Sequence, residues 1–173
     1  MEDYALVRLF DTSEKYICEH IYALPSDDLH LRFGYTPSRS MIAGYVHSSL
    51  STVNTRQHAD FWFGIKTKKE LVATIHVSIR DDVAEFAFTT DTNHRGKKLG
   101  QLLFARGYQL VTEYSIKKIV MQCLSVNAPM RHIASKFGLN VVRNGSETDA
   151  SLTIQYPFPI EKLESIKITI EDK

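Results

Sequence analysis

The pattern of apolar and polar residues divides the chain into a helical opening, a β-rich centre and a second half in which the two periods alternate. Residues 4–10, YALVRLF, read as a short first strand. From Thr12 to about Leu24 the apolar positions Tyr16, Ile17, Ile21 and Leu24 fall at helical spacing, with Thr12 or Ser13 available as N-cap. Pro25-Ser26-Asp27-Asp28 interrupts this helix, and a second one follows Pro37, taking in Met41, Ile42, Tyr45 and Val46. Phe61–Ile65, Leu71–Ile79 and Val83–Thr90 are three β-rich runs. Lys68-Lys69-Glu70 and Asp81-Asp82 separate them, loops short enough for antiparallel hairpins.

A glycine-containing turn then leads into a helix from about Gly100 to Ser115. Its expected buried face carries Leu102, Leu103, Tyr108 or Ala105, Leu110 and Tyr114. Lys118–Leu124 is another strand, and residues 128–136 are a short helix stopped at Phe137-Gly138, with Gly138 as a left-handed C-cap. Val141-Val142 and Leu152–Tyr156 make a last hairpin around Asn144-Gly145-Ser146. Hairpins demand antiparallel pairs, whereas strand–helix–strand crossovers favour parallel ones. The expected fold is therefore α/β: a mixed, mostly antiparallel central sheet of about seven strands, with helices on both faces. It forms one domain over residues 1–173, in which 157–173 is a C-terminal extension, an extra strand or a contact arm ending in Ile166–Ile170.

Composition removes alternatives rather than adding detail. At 173 residues, 43% hydrophobic and 24% charged, the chain suits a single folded domain. Lys+Arg number 21 against 20 Asp+Glu, so no global field draws in nucleic acid or a membrane surface, and any anion site must be local. Cys18 and Cys123 lie far apart without CxxC spacing, so neither a disulfide framework nor a zinc site is expected. Met1-Glu2-Asp3-Tyr4 is acidic where a secretory signal is basic, and no stretch approaches the roughly 18 apolar residues of a membrane span. A cytoplasmic location is expected.

The segment richest in chemistry is the strand Glu85–Thr90, the turn through His94-Arg95-Gly96-Lys97-Lys98-Leu99-Gly100, and the helix that follows. Unbonded N–H groups at a helix start, together with its dipole, favour an anion such as a pyrophosphate. Gly96 and Gly100 let the backbone approach closely, while Arg95, Lys97 and Lys98 add charge. On spacing alone the same residues also read as a basic surface turn that needs a glycine for its bend. The segment is neither GxxxxGK[ST] nor GxGxxG, which disfavours a Walker-type NTPase and a Rossmann enzyme.

This turn resembles the acyl-CoA pyrophosphate loop of the GNAT superfamily of N-acetyltransferases, [RQ]-x-x-G-x-[GA]. Arg95 and Gly100 match it, and Lys98 stands where the pattern has its first glycine. A left-handed backbone there would strain a lysine, whereas a right-handed helix start would cost little and add charge. Ser125-Val126-Asn127-Ala128-Pro129-Met130-Arg131-His132-Ile133-Ala134-Ser135-Lys136-Phe137-Gly138-Leu139 resembles the superfamily's later N-x-x-M-x-x-[LI]-A-x-K-x-G-[FL] stretch. The order and spacing of the two blocks and the meander before them fit as well, and the resemblance covers roughly residues 4–156. Ala84–Phe88 and Leu31-Arg32-Phe33 look like the bacterial protein-lysine acetyltransferase (Pat) branch, in which a strand glutamate ten residues ahead of the loop's Arg/Gln serves as general base; Glu85 stands ten residues before Arg95.

The resemblance implies acetyl-CoA as co-substrate, no metal, and a primary amine as acceptor, either a protein lysine or a small molecule. It places Arg95, Gly96, Lys97, Lys98, Leu99, Gly100 and Gln101 around the pyrophosphate. Phe88 and Thr90, with Thr89 between them, would bond the pantetheine arm through the main chain as an added strand, and Asn127 would bond it from the neighbouring strand's end. It also puts the helices between Thr12 and about Ser49, with Arg32, on the acceptor side. Glu85 becomes the general base, although by its residues alone it reads as a solvent-facing strand glutamate. Many members carry a tyrosine acid four residues before the glycine of the later block. Ala134 occupies that position here, which leaves Ser125 or a water to act in its place.

His76 lies in a strand with no recognisable partner, Cys123 reads as a packed thiol, and Phe61, Trp62 and Phe63 read as core and strand-face aromatics. Two other functions fit the same sequence. One is a non-catalytic acyl-CoA sensor, given Lys98 and Ala134; the other is an interaction module using Ile166–Ile170 as an edge for pairing into a homodimer.

Overall fold

Alternation in the central strands decides which face of the sheet meets which helices. The structure, a computed structural model, describes residues 3–154 and 169–170. β1 (Ala5–Leu9) is followed by α1 (Glu14–Tyr22), α2 (Ser26–Phe33) and α3 (Arg39–Leu50). The meander β2 (His58–Lys66), β3 (Leu71–Arg80) and β4 (Val83–Thr90) leads to α4 (Leu99–Glu113). β5 (Lys118–Leu124), α5 (Ala128–Lys136), the hairpin β6 (Asn140–Asn144) with β7 (Glu147–Thr153), and the short β8 (Thr169–Ile170) complete the described chain. The strands form one sheet in the order β6-β7-β5-β4-β3-β2-β1-β8. β4–β5 and β1–β8 are its parallel pairs and the others are antiparallel, as expected of a mixed, mostly antiparallel sheet.

On one face Phe61, Phe63, Ile75, Val77, Phe86 and Phe88 pack against Leu103, Phe104 and Val111 of α4 in a single buried cluster. On the other, Trp62 joins Ile17, Ile21, Leu29, Ile42 and Val46 from α1, α2 and α3. The helices thus cover both faces, and each side chain's parity along its strand assigns it to one layer or the other.

Three elements differ from the sequence reading. Pro25-Ser26-Asp27-Asp28 does not merely end α1; it starts α2, with Pro25 at the N-cap and Asp27 and Asp28 in the first turn, where the dipole favours acids. With Leu29 its one fully buried residue, α2 has almost no apolar periodicity to read. In α4 the buried face is centred on Leu103, Phe104, Leu110 and Val111, while Leu102 and Tyr114 are only partly buried. Gly107 explains the rotation, because a Cβ there would meet Ile75 and Phe86 at 3.0 Å, so the helix approaches the sheet most closely along that line. β7 begins five residues earlier than its apolar residues suggest, since Glu147–Thr153 pairs along the whole of β5. Within the C-terminal extension, Thr169–Ile170 pairs in parallel with Ala5–Leu6 of the same chain, which is the extra-strand reading for these two residues. The rest of the proposed pairing edge, Ile166–Ile168, lies outside the described residues. Among the described residues no helix is long and apolar enough to cross a membrane.

Candidate active site

β4 and β5 hydrogen-bond to one another only at their starts, Val83–Glu85 against Lys118–Val120. β4 continues to Thr90 beside β3, and β5 continues to Leu124 beside β7, so past Glu85 the two strands part and a wedge opens between them. A cavity of about 1040 Å³ occupies it, lined on one side by Glu85, Ala87, Phe88, Thr89 and Thr90 and on the other by Gln122, Cys123, Leu124 and Asn127. A strand edge left open inside a sheet offers its main-chain N–H and C=O groups to an extended ligand.

The glycine-containing turn closes one end of this wedge. Gly96 has φ 73°, and Lys98, the residue before α4, has φ 63° and ψ 16°. Of the two conformations open to Lys98, the chain adopts the left-handed one, at a cost of about 1–2 kcal/mol relative to glycine. Gln101 and Leu102 donate their amides back to the Lys98 carbonyl. Leu99 and Gly100, both lining the cavity, are left to offer helix-start N–H groups to an anion. Arg95, Gly96, Lys98 and Gln101 line the same cavity; Lys97 does not, and its ammonium lies 5.5 Å from the centre of the Tyr4 ring. Arg95 forms an ion pair with Asp28 of α2, so the charge expected to serve an anion is shared with an acid from the opposite layer. The Gln101 Oε1 accepts from Lys136 Nζ at 2.5 Å.

The remaining predicted residues divide. Asn127 caps α5, its side-chain oxygen accepting from Met130 N at 3.2 Å; it borders the cavity, and its amide NH₂ makes no hydrogen bond among the described residues. Ser125 is not among the cavity's lining residues. Its hydroxyl lies 2.8 Å from the Glu147 carbonyl oxygen and 2.9 Å from Thr148 Oγ1, so it ties the end of β5 to β7. Thr89 Oγ1 is held by His20 Nε2 at 2.8 Å and Thr74 Oγ1 at 2.6 Å, a buried bridge from α1 to the end of β4. Burial pushes His20 down to about 4, against a bond to the Leu71 main chain and the charge of Asp91. Cys123 is half-buried against the cavity, and burial raises its thiol. Among the described residues no cluster of three or more His, Cys, Asp or Glu side chains could hold a metal ion.

A second, smaller cavity of about 380 Å³ adjoins the first, and Arg32, Glu85 and Ala87 line both. Strand register builds it. Asp60, Ser78 and Glu85 stand in one row across β2, β3 and β4, and Trp62, His76 and Ala87 stand in the next, on the sheet face covered by α1–α3. His76, which has no recognisable partner in the sequence, has two here. Its Nε2 lies 2.9 Å from Asp60 Oδ1 and its Nδ1 lies 2.5 Å from the Tyr45 hydroxyl, while the ring stacks on Trp62 at 4.7 Å. Arg32 Nη2 donates to the same Tyr45 oxygen at 2.8 Å. Burial opposes charge on Asp60, yet bonds from His76, Thr52 and Arg80 outweigh it and hold the carboxyl well below its ordinary range. Burial pushes His76 down, against the Asp60 bond and charge. A neutral His76 then donates Nε2–H to Asp60 and accepts the Tyr45 proton at Nδ1. Hydrogen bonds thus run in one direction from Arg32 through Tyr45 and His76 to Asp60. The sequence does carry a faint sign of this array: Asp60, His76 and Ser78 are polar residues on one face of otherwise apolar strands.

Comparison with known proteins agrees with this architecture. The Acetyltransferase (GNAT) family matches residues 18–139. No curated protein sequence matches the chain. Among solved structures, the GNAT domain of S. lividans PAT superposes with a TM-score of 0.75 at 15% identity, over 86% of this chain and 89% of that one. A putative acetyltransferase from Acinetobacter baylyi gives 0.72 at 14% identity, over 91% and 96%. Spermidine N-acetyltransferase from Vibrio cholerae, solved with CoA and spermine, gives 0.67 at 14% identity, over 87% and 95%. At such identities the structural likeness establishes the fold, and the family match covers well over half the sequence. With a wedge between parallel strands, a glycine-containing turn at a helix start and that match, the chain belongs to the acetyltransferase (GNAT) family.

Proposed function

We propose that the protein transfers an acetyl group from acetyl-CoA to a primary amine, with Glu85 as general base and the Arg95–Gly100 turn as the pyrophosphate site. The observation that carries this reading is the wedge: the open edge of β4, the helix-start amides of Leu99 and Gly100 and the Glu85 carboxylate all border one cavity. The donor set fits the co-substrate, with main-chain groups along an extended arm and N–H groups with nearby basic residues for a diphosphate.

Acetyl-CoA supplies a thioester carbonyl and a thiolate leaving group. In balance, an ammonium R–NH₃⁺ and acetyl-CoA give the amide, CoA thiol and one proton; a C–N bond forms and the C–S bond breaks. A lysine-like ammonium must first lose a proton, which costs about 4.6 kcal/mol at pH 7. Glu85, bordering both cavities, accepts that proton directly or through water. A main-chain N–H near the end of β4 supplies the hydrogen bond to the carbonyl oxygen as charge develops. A thiolate with a pKa of about 8.5, by analogy with cysteine, leaves without a dedicated acid. Ala134 provides none, and Ser125 is given no part, because its hydroxyl is engaged between β5 and β7.

Calorimetric titration with acetyl-CoA and CoA, followed by mass spectrometry of products from a panel of amines, tests the reading. Binding of both ligands with an acetylated amine as product is the expected result. Binding without turnover on any amine replaces the enzyme with an acyl-CoA sensor, and absence of binding removes the CoA site altogether.

A further inference from the structure

The smaller cavity contains four charged side chains, and they are not equivalent. Asp60 is buried and accepts from His76 at 2.9 Å, Thr52 at 2.7 Å and Arg80 at 3.0 Å. Arg80 is thereby paired as well. Arg32 and Glu85 are different. Arg32 gives one N–H to Tyr45 and lies 4.7 Å from the Phe33 ring centre, but among the described residues no carboxylate is within 4.0 Å of it. Glu85 has neither a hydrogen bond nor an ion pair among the described residues, and the two are not paired with each other. One half-buried cation and one exposed anion thus face the same space, neither of them in an ion pair among the described residues.

The Arg32 guanidinium is also held in place. Tyr45 fixes it, His76 fixes the Tyr45 hydroxyl, and the buried Asp60 fixes His76, so the fork is oriented before any ligand arrives. Arginine carries five N–H donors, and a held fork of this kind suits two-point binding of a carboxylate.

We propose that the acceptor is a small zwitterion, an amine that also bears a carboxylate, with its amino group directed to Glu85 and its carboxylate bound by Arg32. The proposal rests on the acetyl-transfer reading above and names the class of amine that reading leaves open. The cavity volume, about 380 Å³, is that of a small-molecule pocket. Its lining sets hydroxyl and charged groups beside the Tyr45 ring and Ala87, a mixture that suits a short polar acceptor. The Arg32 charge also favours the neutral form of a nearby amine, which helps the proton loss that transfer requires.

The test compares the common α-amino acids with their carboxamides, together with spermidine and a lysine-containing peptide, as acceptors for the intact protein and acetyl-CoA. The expected result is kcat/KM at least tenfold higher for one or more amino acids than for the matching carboxamide. Arg32→Gln is expected to bring that ratio close to one, chiefly by raising KM for the acid. Arg32→Lys, which keeps the charge without the fork, should leave an intermediate ratio, and Tyr45→Phe should lower it by loosening the same guanidinium. Calorimetry of the preferred amino acid in the presence of CoA gives a readout apart from turnover, and Arg32→Gln should weaken that binding. Acetylation with no acid-over-amide preference, or a preference for spermidine or the peptide, overturns the zwitterion assignment while leaving the acetyltransferase reading intact. Failure to bind acetyl-CoA overturns that reading, and this assignment with it.

Discussion

The wedge and the smaller cavity share the rim of β4, yet they are made of different materials. The wedge presents main-chain groups: the edge of β4 past Glu85 and the amides opening α4. The smaller cavity presents side chains, ordered by a hydrogen-bonded line from Arg32 to Asp60. A main-chain site needs room and the right dihedral angles, and tolerates most side chains that point elsewhere. A side-chain site depends on each residue's identity. The same sheet can therefore keep one ligand constant while the other changes with a few substitutions in α2, α3, β2 and β3.

Glu85 sits where the two regions meet, and changing it should separate them most sharply. Glu85→Gln keeps shape and one acceptor oxygen but removes basicity. Acetyl-CoA affinity should be unchanged within twofold, while kcat falls by about 10²–10⁴. Raising the pH should recover part of the loss, because more of the amine is then already neutral. Steady-state kinetics beside calorimetry decide the matter: near-wild-type kcat/KM at pH 7 in a folded variant removes Glu85 from the chemistry, and a parallel loss of CoA affinity makes it structural.

On the wedge side, His20 of α1 fixes Thr89 at the end of β4. Its imidazole is held down to about 4, against an ordinary 6.5 in the unfolded chain. Above pH 6.5 both states are neutral and the full stability is present. As pH falls from 6.5 towards 4, the unfolded chain takes up a proton that the native one refuses, and stability drops by about 3 kcal/mol in all. His76, also lowered by burial, acts in the same direction, whereas Asp60 stabilises the fold down to the ordinary carboxylate range and loses that effect only below it. Urea unfolding at pH 7 and pH 4.5 should show the fall, and His20→Gln should flatten it. An unchanged slope in that variant would mean that His20 titrates normally in the folded protein.

How much of this could be read from the sequence follows the same division. The wedge side was legible because it depends on local order: a strand, a turn with Gly96 and Gly100, and a helix come in sequence, and a motif can record them. The backbone of Lys98 was not, since a lysine carries no sign of being left-handed. The smaller cavity was almost illegible, for it joins Arg32, Tyr45, Asp60 and His76 from four elements, and only the antiparallel register places Asp60 and Glu85 in one row. Helix α2 was missed for a related reason: a short, mostly polar helix held by capping and by Leu29 leaves no apolar stripe. Ser125 shows the converse, a residue well placed in the chain whose hydroxyl turns to β7.

The main-chain character of the wedge can be tested at Gly100. A Cβ there would meet Ile133 Cδ1 at 2.8 Å, the tip of a flexible side chain that can move aside. Gly100→Ala should therefore fold and bind acetyl-CoA within a few-fold of wild type. Gly100→Glu adds bulk and a negative charge beside the diphosphate, and at an effective dielectric of about 20 a like-charge contact near 4 Å costs about 4 kcal/mol before relaxation. A loss of roughly a hundredfold in acetyl-CoA affinity is expected, read by calorimetry on protein with unchanged circular dichroism. Equal affinities for the two variants would move the pyrophosphate away from this turn.

The smallest effect should come from Lys98, where backbone and charge can be told apart. At φ 63° and ψ 16° a Cβ is strained, so Lys98→Gly relieves about 1–2 kcal/mol, offset by about 0.5–1 kcal/mol from the freer unfolded chain. The net gain should lie between about 0 and 1.5 kcal/mol, a rise in Tm of roughly 6 °C at most for a chain of this size. Lys98→Ala keeps the strain and, like the glycine variant, removes the ammonium. The alanine variant should thus be less stable than the glycine variant by roughly the relieved strain less the glycine's entropy, while both lose the same few-fold of acetyl-CoA affinity, more at low salt than at high. An alanine variant more stable than the glycine variant would place Lys98 in the right-handed region in solution. A glycine variant that binds acetyl-CoA more tightly than the alanine one would show that the turn's freedom, rather than the lysine's charge, limits how the amides reach the anion.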